Sequence, residues 1–178
     1  VLLGVTPYLK YFSLPGKEEK ERVNHVMNEL GLSAFKNRRM GTLSGGEQQM
    51  VDFARARMQH TPWLILDEPM ASLDYNRQHE FMHRLVEYER RYGQGILMSV
   101  HDPNFALRYA DRVIVMGQGE IQGIVSRRED EFENKLTGIL NKSYEGHLQL
   151  IEKEDYHFYY WKEETHVSGK GICESSEP

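Results

Sequence analysis

Four short stretches hold the side chains with the clearest chemical use. Ser44-Gly45-Gly46-Glu47-Gln48 sets a serine and two glycines at the start of a run that reads as a helix. Free N–H groups and the positive dipole end at a helix start suit a phosphate, and glycines let it approach the backbone closely. Leu64-Ile65-Leu66 is closed by Asp67-Glu68-Pro69. An aspartate at a strand end can help hold Mg2+, directly or through water. The adjacent Glu68 can orient and polarise an attacking water. Ser72-Leu73-Asp74 follows, and Ser99-Val100-His101-Asp102 completes the set. His101 can donate a hydrogen bond to a terminal phosphate. Each piece alone has a plain structural explanation as a turn, a helix cap or a satisfied histidine. The fixed order of all four is what carries specificity.

The elements that must position these groups follow from the pattern. Val23, Val26, Met27 and Leu30 form one stripe over Lys17–Leu30, with Gly31 placed to end a helix. Ser44 and Glu47 have capping-box spacing, which predicts a helix from Ser44 to about Gln59. Residues 63–66 read as a buried strand. Asp74 caps a long helix to Tyr92, with Phe81, Leu85, Tyr88 and Tyr92 on one face and Gly93 at its end. Gly95–Val100 is the next strand, and Asp102-Pro103 opens a short helix. Arg112–Met116 and Glu120–Val125 read as strands joined at Gly117-Gln118-Gly119. Residues 127–141 read as a charged helix, 147–151 and 156–161 as short strands, and the chain from Lys162 as a polar, frayed tail. Strands alternating with helices imply an α/β domain with a mainly parallel sheet, whose ligands bind at the carboxyl ends of strands. Asp67, Glu68 and His101 stand at such ends.

Composition narrows the function classes. The 178 residues carry 22 Lys and Arg against 27 Asp and Glu, a net charge of −5. That argues against holding nucleic acid by bulk charge. A single cysteine excludes a disulfide framework or a cysteine zinc cluster within one chain. No apolar run approaches the roughly 18–20 residues that span a bilayer.

The four motifs, in this order, resemble the ATP-binding subunit of ATP-binding-cassette (ABC) transporters. Ser44 to Gln48 resembles the family's signature motif, Leu64 to Glu68 its Walker B strand, Ser72 to Asp74 its D-loop and His101 its switch histidine. The resemblance implies that Ser44, Gly45, Gly46, Glu47, Gln48 and Asp74 take part in nucleotide binding. Ser44 and Gly46 would meet the γ-phosphate of ATP held by a second ATP-binding subunit in a head-to-tail dimer. It implies Glu68 as catalytic base, His101 as its catalytic partner and Asp67 as the Mg2+-side carboxylate. It further implies membrane permease subunits as partners, no nucleic acid, and a place on the cytoplasmic face of the membrane. His101-Asp102-Pro103-Asn104, Asp67 through Asp74 and the lead Leu3-Gly4-Val5-Thr6-Pro7-Tyr8 look most like importers of iron-siderophore, haem or cobalamin. Val5 and Met70 depart from that group, which usually carries Arg and Thr there.

An ABC ATPase also needs a P-loop, G-x-x-x-x-G-K-[ST], to cradle the phosphates. Gly16-Lys17 has Tyr11 at the first glycine position, and Gly169-Lys170 has Glu164 there. Neither is a P-loop. The resemblance therefore implies the C-terminal part of an ABC-type P-loop NTPase: half of a RecA-like core plus a helical subdomain. Residues 1–60 would be mostly helical subdomain, 61–126 core, 127–161 a C-terminal helix with short strands, and 162–178 tail. The 178 residues alone are expected to be inactive, with apolar sheet edges exposed.

Other readings stand beside this one. The same motifs serve non-transport ABC ATPases of DNA repair or translation. His79-Glu80-Phe81-Met82-His83 fits the H-E-x-x-H pattern of zinc metalloproteases. Ser99, His101 and Asp102 are the residue types of a serine hydrolase, but neighbours on one strand cannot converge as a triad. An inactive remnant with a binding role is the last.

Overall fold

The computed structural model describes residues 1–9, 13–153 and 156–162. The polar tail, Lys162 apart, lies outside the described residues. The chain divides after His101 into two compact units.

In the first unit a 3-10 helix, Leu2–Tyr8, leads into α1, Lys17–Glu29. Helix α2 is Gly45–Arg57, strand β1 is Trp63–Leu66, helix α3 is Tyr75–Tyr92 and strand β2 is Gly95–Met98. The lead packs on α2 because Gly4 has no side chain: a Cβ there would stand 2.2 Å from the Arg55 carbonyl oxygen. Tyr8 donates its hydroxyl proton to the Gln59 carbonyl. Phe53 of α2 meets Phe81 and Tyr88 of α3 edge-on, at ring separations of 5.7 and 5.6 Å. These rings, with Met58 and Leu85, form the buried centre. Arg57 is buried, 2.8 Å from the Glu29 carboxylate and 4.5 Å over the Tyr88 ring. Its charge and its flat guanidinium are thus both satisfied.

β1 and β2 are parallel and in register from Trp63–Gly95 to Leu66–Met98. Pairing demands a glycine at 95, since a Cβ there would lie 2.4 Å from the Trp63 ring. One face of the pair exposes Trp63, Ile65 and Leu97. Such apolar exposure favours association.

In the second unit α4 is Pro103–Tyr109, β3 is Arg112–Gly117, β4 is Glu120–Ser126, α5 is Phe132–Ser143, β5 is Leu148–Lys153 and β6 is Tyr156–Trp161. Val113, Val115 and Val125 of the β3–β4 hairpin share a core with Phe132, Leu136, Leu140, Leu148 and Tyr159. The parallel sheet expected from the sequence is represented by β1–β2; the β3–β4 and β5–β6 pairs are antiparallel.

Several expected boundaries shift by one or two residues, and one by more. α2 ends at Arg57 rather than Gln59, and β2 at Met98 rather than Val100. The charged helix starts at Phe132 rather than 127. Glu129 turns its carboxylate back to the Ser126 N–H at 2.9 Å, and Arg127 binds the carbonyls of Leu107 and Ala110. The 127–131 segment is thereby a turn, and Glu131 enters α5 with φ +60°.

Candidate functional site

Every expected site residue falls within the first unit, and the two strand exits gather Asp67, Glu68 and His101. Asp67 and Glu68 leave β1 as His101 leaves the segment after β2, and parallel pairing sets the two exits side by side. Glu68 Oε1 lies 2.8 Å from His101 Nε2. Asp67 does not touch His101 directly. Ser99 joins them instead: its hydroxyl donates to Asp67 Oδ1 at 2.8 Å and accepts the Glu68 N–H at 2.7 Å. Glu68 sits at φ +43°, a sparsely populated conformation for a side chain of its kind. Its carbonyl is held too, by the Ala71 N–H at 3.1 Å and the Gln49 amide at 3.4 Å.

The Ser44–Gln48 stretch begins α2 as the capping box requires. Ser44 Oγ accepts the Glu47 N–H at 3.3 Å, and Glu47 Oε2 accepts the Ser44 N–H at 2.7 Å. That backbone hydrogen bond is the main reason the Glu47 carboxyl is held below its ordinary range. Gln48 turns its amide to the Leu43 carbonyl at 2.9 Å. Glu47 and Gln48 thus shape the helix start with their own side chains.

The two glycines are needed for contact within the chain. A Cβ on Gly46 would lie 2.7 Å from Leu73 Cδ2, and one on Gly45 would lie 3.2 Å from Ser72 Cβ. The signature-like turn is packed directly on the 72–74 loop. Gln49 secures the junction by accepting the Ser72 hydroxyl at 2.8 Å. Asp74 caps α3, its Oδ1 accepting the Arg77 N–H at 2.9 Å.

Gln49 and Ser99 complete the site, and neither was marked for this role by local pattern. Gln49 directly follows the 44–48 motif, and Ser99 stands out in the sequence only as a hydroxyl near His101. Their partners lie 19 to 32 residues away in the chain, so spacing carries no trace of them.

Asp67 and Glu68 are carboxylates of the type a hard cation takes beside water or phosphate oxygens, but with His101 they do not form a group of three that could itself hold a metal ion. Both carboxylates are exposed, with the second Asp67 oxygen clear of the Ser99 hydroxyl bond. The H-E-x-x-H stretch forms no such group either. His79 stacks edge-on to Tyr75 at 4.7 Å, and among the described residues no group of three or more His, Cys, Asp or Glu could hold a metal ion.

Comparison with known proteins agrees with the motif order. The ABC transporter family profile matches residues 4–71. The chain is 36% identical over 142 residues to the phosphonates import ATP-binding protein PhnC of Escherichia coli O6:K15:H31, covering 79% of this chain and 53% of that protein. The K12 strain's PhnC matches at the same 36% over 142 residues, with the same 79% and 53% coverage. Among solved structures, a metal-chelate-type ABC transporter in an inward-facing conformation superposes with a TM-score of 0.76 at 21% identity, over 90% of this chain and 62% of that one. At that identity the likeness speaks for the fold alone. A dimeric bacterial ABC transporter cassette superposes with a TM-score of 0.62 at 26% identity, over 72% of this chain and 55% of that one. The chain spans about half the length of the curated relatives it matches (53%).

Proposed function

Since the chain carries part of an ABC transporter ATP-binding domain, we propose that it serves in the ATP-hydrolysing subunit of an importer. The observation that carries this reading is the 2.8 Å contact between Glu68 and His101 at the ends of two paired parallel strands, beside Asp67.

Glu68 accepts a proton from the attacking water, and His101 holds the Glu68 carboxylate through Nε2. Asp67 would take Mg2+ through its free oxygen. When bound, that ion neutralises charge developing on the phosphate oxygens. Gly45 and Gly46 present the first N–H groups of α2, which have no acceptor within the helix. In a head-to-tail dimer these groups, with Ser44, meet the γ-phosphate held by the second ATP-binding subunit. Asp74 stands in the adjoining loop. No stretch of the 178 residues reads as a P-loop, so ATP must be gripped by residues outside them, and these residues alone leave ATP intact.

Permease subunits are the partners that place such a protein on the cytoplasmic face of the membrane. No helix among the described residues is long and apolar enough to cross one. For the cargo, 36% identity to phosphonates import proteins favours a phosphonate-like anion. The iron-siderophore, haem or cobalamin group rests on the Leu3–Tyr8 lead, the 67–74 stretch and the 101–104 stretch.

The test is ATP turnover by the full-length protein assembled with its permease. Turnover that Glu68→Gln abolishes is expected; turnover unchanged by Glu68→Gln overturns the reading. Uptake of a phosphonate against uptake of a ferric siderophore by the same assembly decides the cargo.

A further inference from the structure

We propose that Ser99 is a positioning residue that fixes both carboxylate-bearing residues of the site through one hydroxyl. This role rests on the ATP-hydrolysing reading above. The direction of the two hydrogen bonds is determined by chemistry. The Glu68 N–H can only donate, so the hydroxyl accepts there, at 2.7 Å. Its own proton is then free for Asp67 Oδ1, at 2.8 Å. Asp67 keeps its other oxygen for a cation.

The backbone of Glu68 needs such a hold. At φ +43° it occupies a conformation that persists only where surrounding contacts over-determine it. Ser99 supplies one such contact from β2's side, since the Ser99 N–H continues the ladder by bonding the Leu66 carbonyl at 3.1 Å. Two residues later the same segment presents His101 to the Glu68 carboxylate. Asp67, Glu68 and His101 are thereby all referenced to one strand exit. Ser99 touches neither nucleotide nor water in this scheme; it acts through Asp67 and Glu68.

Three variants of the full-length protein test the role: Ser99→Ala, the hydroxyl-bearing Ser99→Thr, and Ser99→Val, which has the shape of threonine without the hydroxyl. Partners of this kind are worth about 10–100-fold in metal affinity or activity. Ser99→Ala and Ser99→Val should lower kcat within that range and raise the Mg2+ concentration for half-maximal turnover about tenfold or more. KM for ATP should stay within about twofold, because no binding contact is removed. A readout independent of turnover is hydrogen exchange at the Glu68 amide in protein free of nucleotide and metal. It should speed up by about tenfold in Ser99→Ala and Ser99→Val as the local opening becomes easier. Ser99→Thr should restore all three quantities.

Wild-type turnover with Ser99→Ala matching it in kcat, Mg2+ demand and Glu68 exchange overturns this role alone. So does a folded Ser99→Thr protein that behaves like Ser99→Val. A wild-type protein that turns over no ATP overturns the ATPase reading itself, and the positioning role with it.

Discussion

His101 Nε2 stands 2.8 Å from Glu68 Oε1, although the two are 33 positions apart in the chain. Parallel pairing of β1 with β2 delivers that contact. A carboxylate so held points in one direction, which general-base work requires. Glu68→Gln keeps the size and the bond to His101 but removes the base. In the full-length protein it should lower kcat by about 10²–10⁴-fold. It should also accumulate an ATP-bound dimer, visible as a shift in elution volume. His101→Ala should lower kcat while leaving thermal stability nearly unchanged, since both side chains are exposed.

Gly46 is packed on Leu73, and the cost of an added methyl there is a direct measure of that junction. The Cβ of Gly46→Ala would sit 2.7 Å from Leu73 Cδ2. Leu73 is buried, so it has little room to retreat. Overpacking of this kind costs about 1–3 kcal/mol. Urea unfolding should show that loss, and the double variant Gly46→Ala, Leu73→Val should lose less than the two single variants added together. Strict additivity would mean the contact does not hold the two segments together.

Glu29 joins three helices, and its ionisation should be visible in the acid limb of stability. Burial alone would push its carboxyl up. The hydrogen bond and charge of Arg57, with the charges of Arg91 and His25, outweigh burial and hold it below the ordinary range. The folded state thus favours the carboxylate. Its contribution is full above the unfolded value of about 4.3 and is lost as pH falls through the lower folded value. Glu29→Gln should flatten stability against pH in that acid window. Arg57→Met removes the buried partner at 2.8 Å. It should cost about 2–4 kcal/mol at neutral pH, within or just under the range for breaking a buried pair, because Arg91 still reaches Glu29 at 2.6 Å. Thermal unfolding between pH 3 and 7 checks both.

What the sequence made legible was local. α3 is marked at both ends by Asp74 and by Gly93 at φ +64°, and of its expected stripe Phe81, Leu85 and Tyr88 are buried while Tyr92, at the helix end, is exposed. The same holds for the Ser44–Glu47 capping box. The helix starts at Phe132 rather than 127 because Glu129 turns back to the Ser126 N–H and Arg127 reaches the distant carbonyls of Leu107 and Ala110, neither of which propensity registers. The glycines of the 44–48 stretch were read as room for phosphate. In the fold they also serve contact with Ser72 and Leu73. Gln49 and Ser99 stayed hidden for the same reason: their roles exist only once β1, β2 and α2 are packed.

Gln49 is the remaining link between α2 and the acidic cluster, and two substitutions separate its two bonds. Its amide donates to the Glu68 carbonyl at 3.4 Å, and its oxygen accepts the Ser72 hydroxyl at 2.8 Å. Gln49→Ala removes both and should cost about 1–3 kcal/mol, the net worth of two typical hydrogen bonds. Gln49→Glu keeps the acceptor for Ser72 but sets a carboxylate against the Glu68 carbonyl oxygen. If the donor to Glu68 matters for holding that strained residue, Gln49→Glu should lose more kcat than Gln49→Ala while losing no more than it in melting temperature. Steady-state turnover and thermal unfolding, measured on the same preparations, separate the two effects. A Gln49→Glu protein as active as wild type would show that the Glu68 carbonyl needs no donor from α2, and that the Ala71 N–H at 3.1 Å suffices.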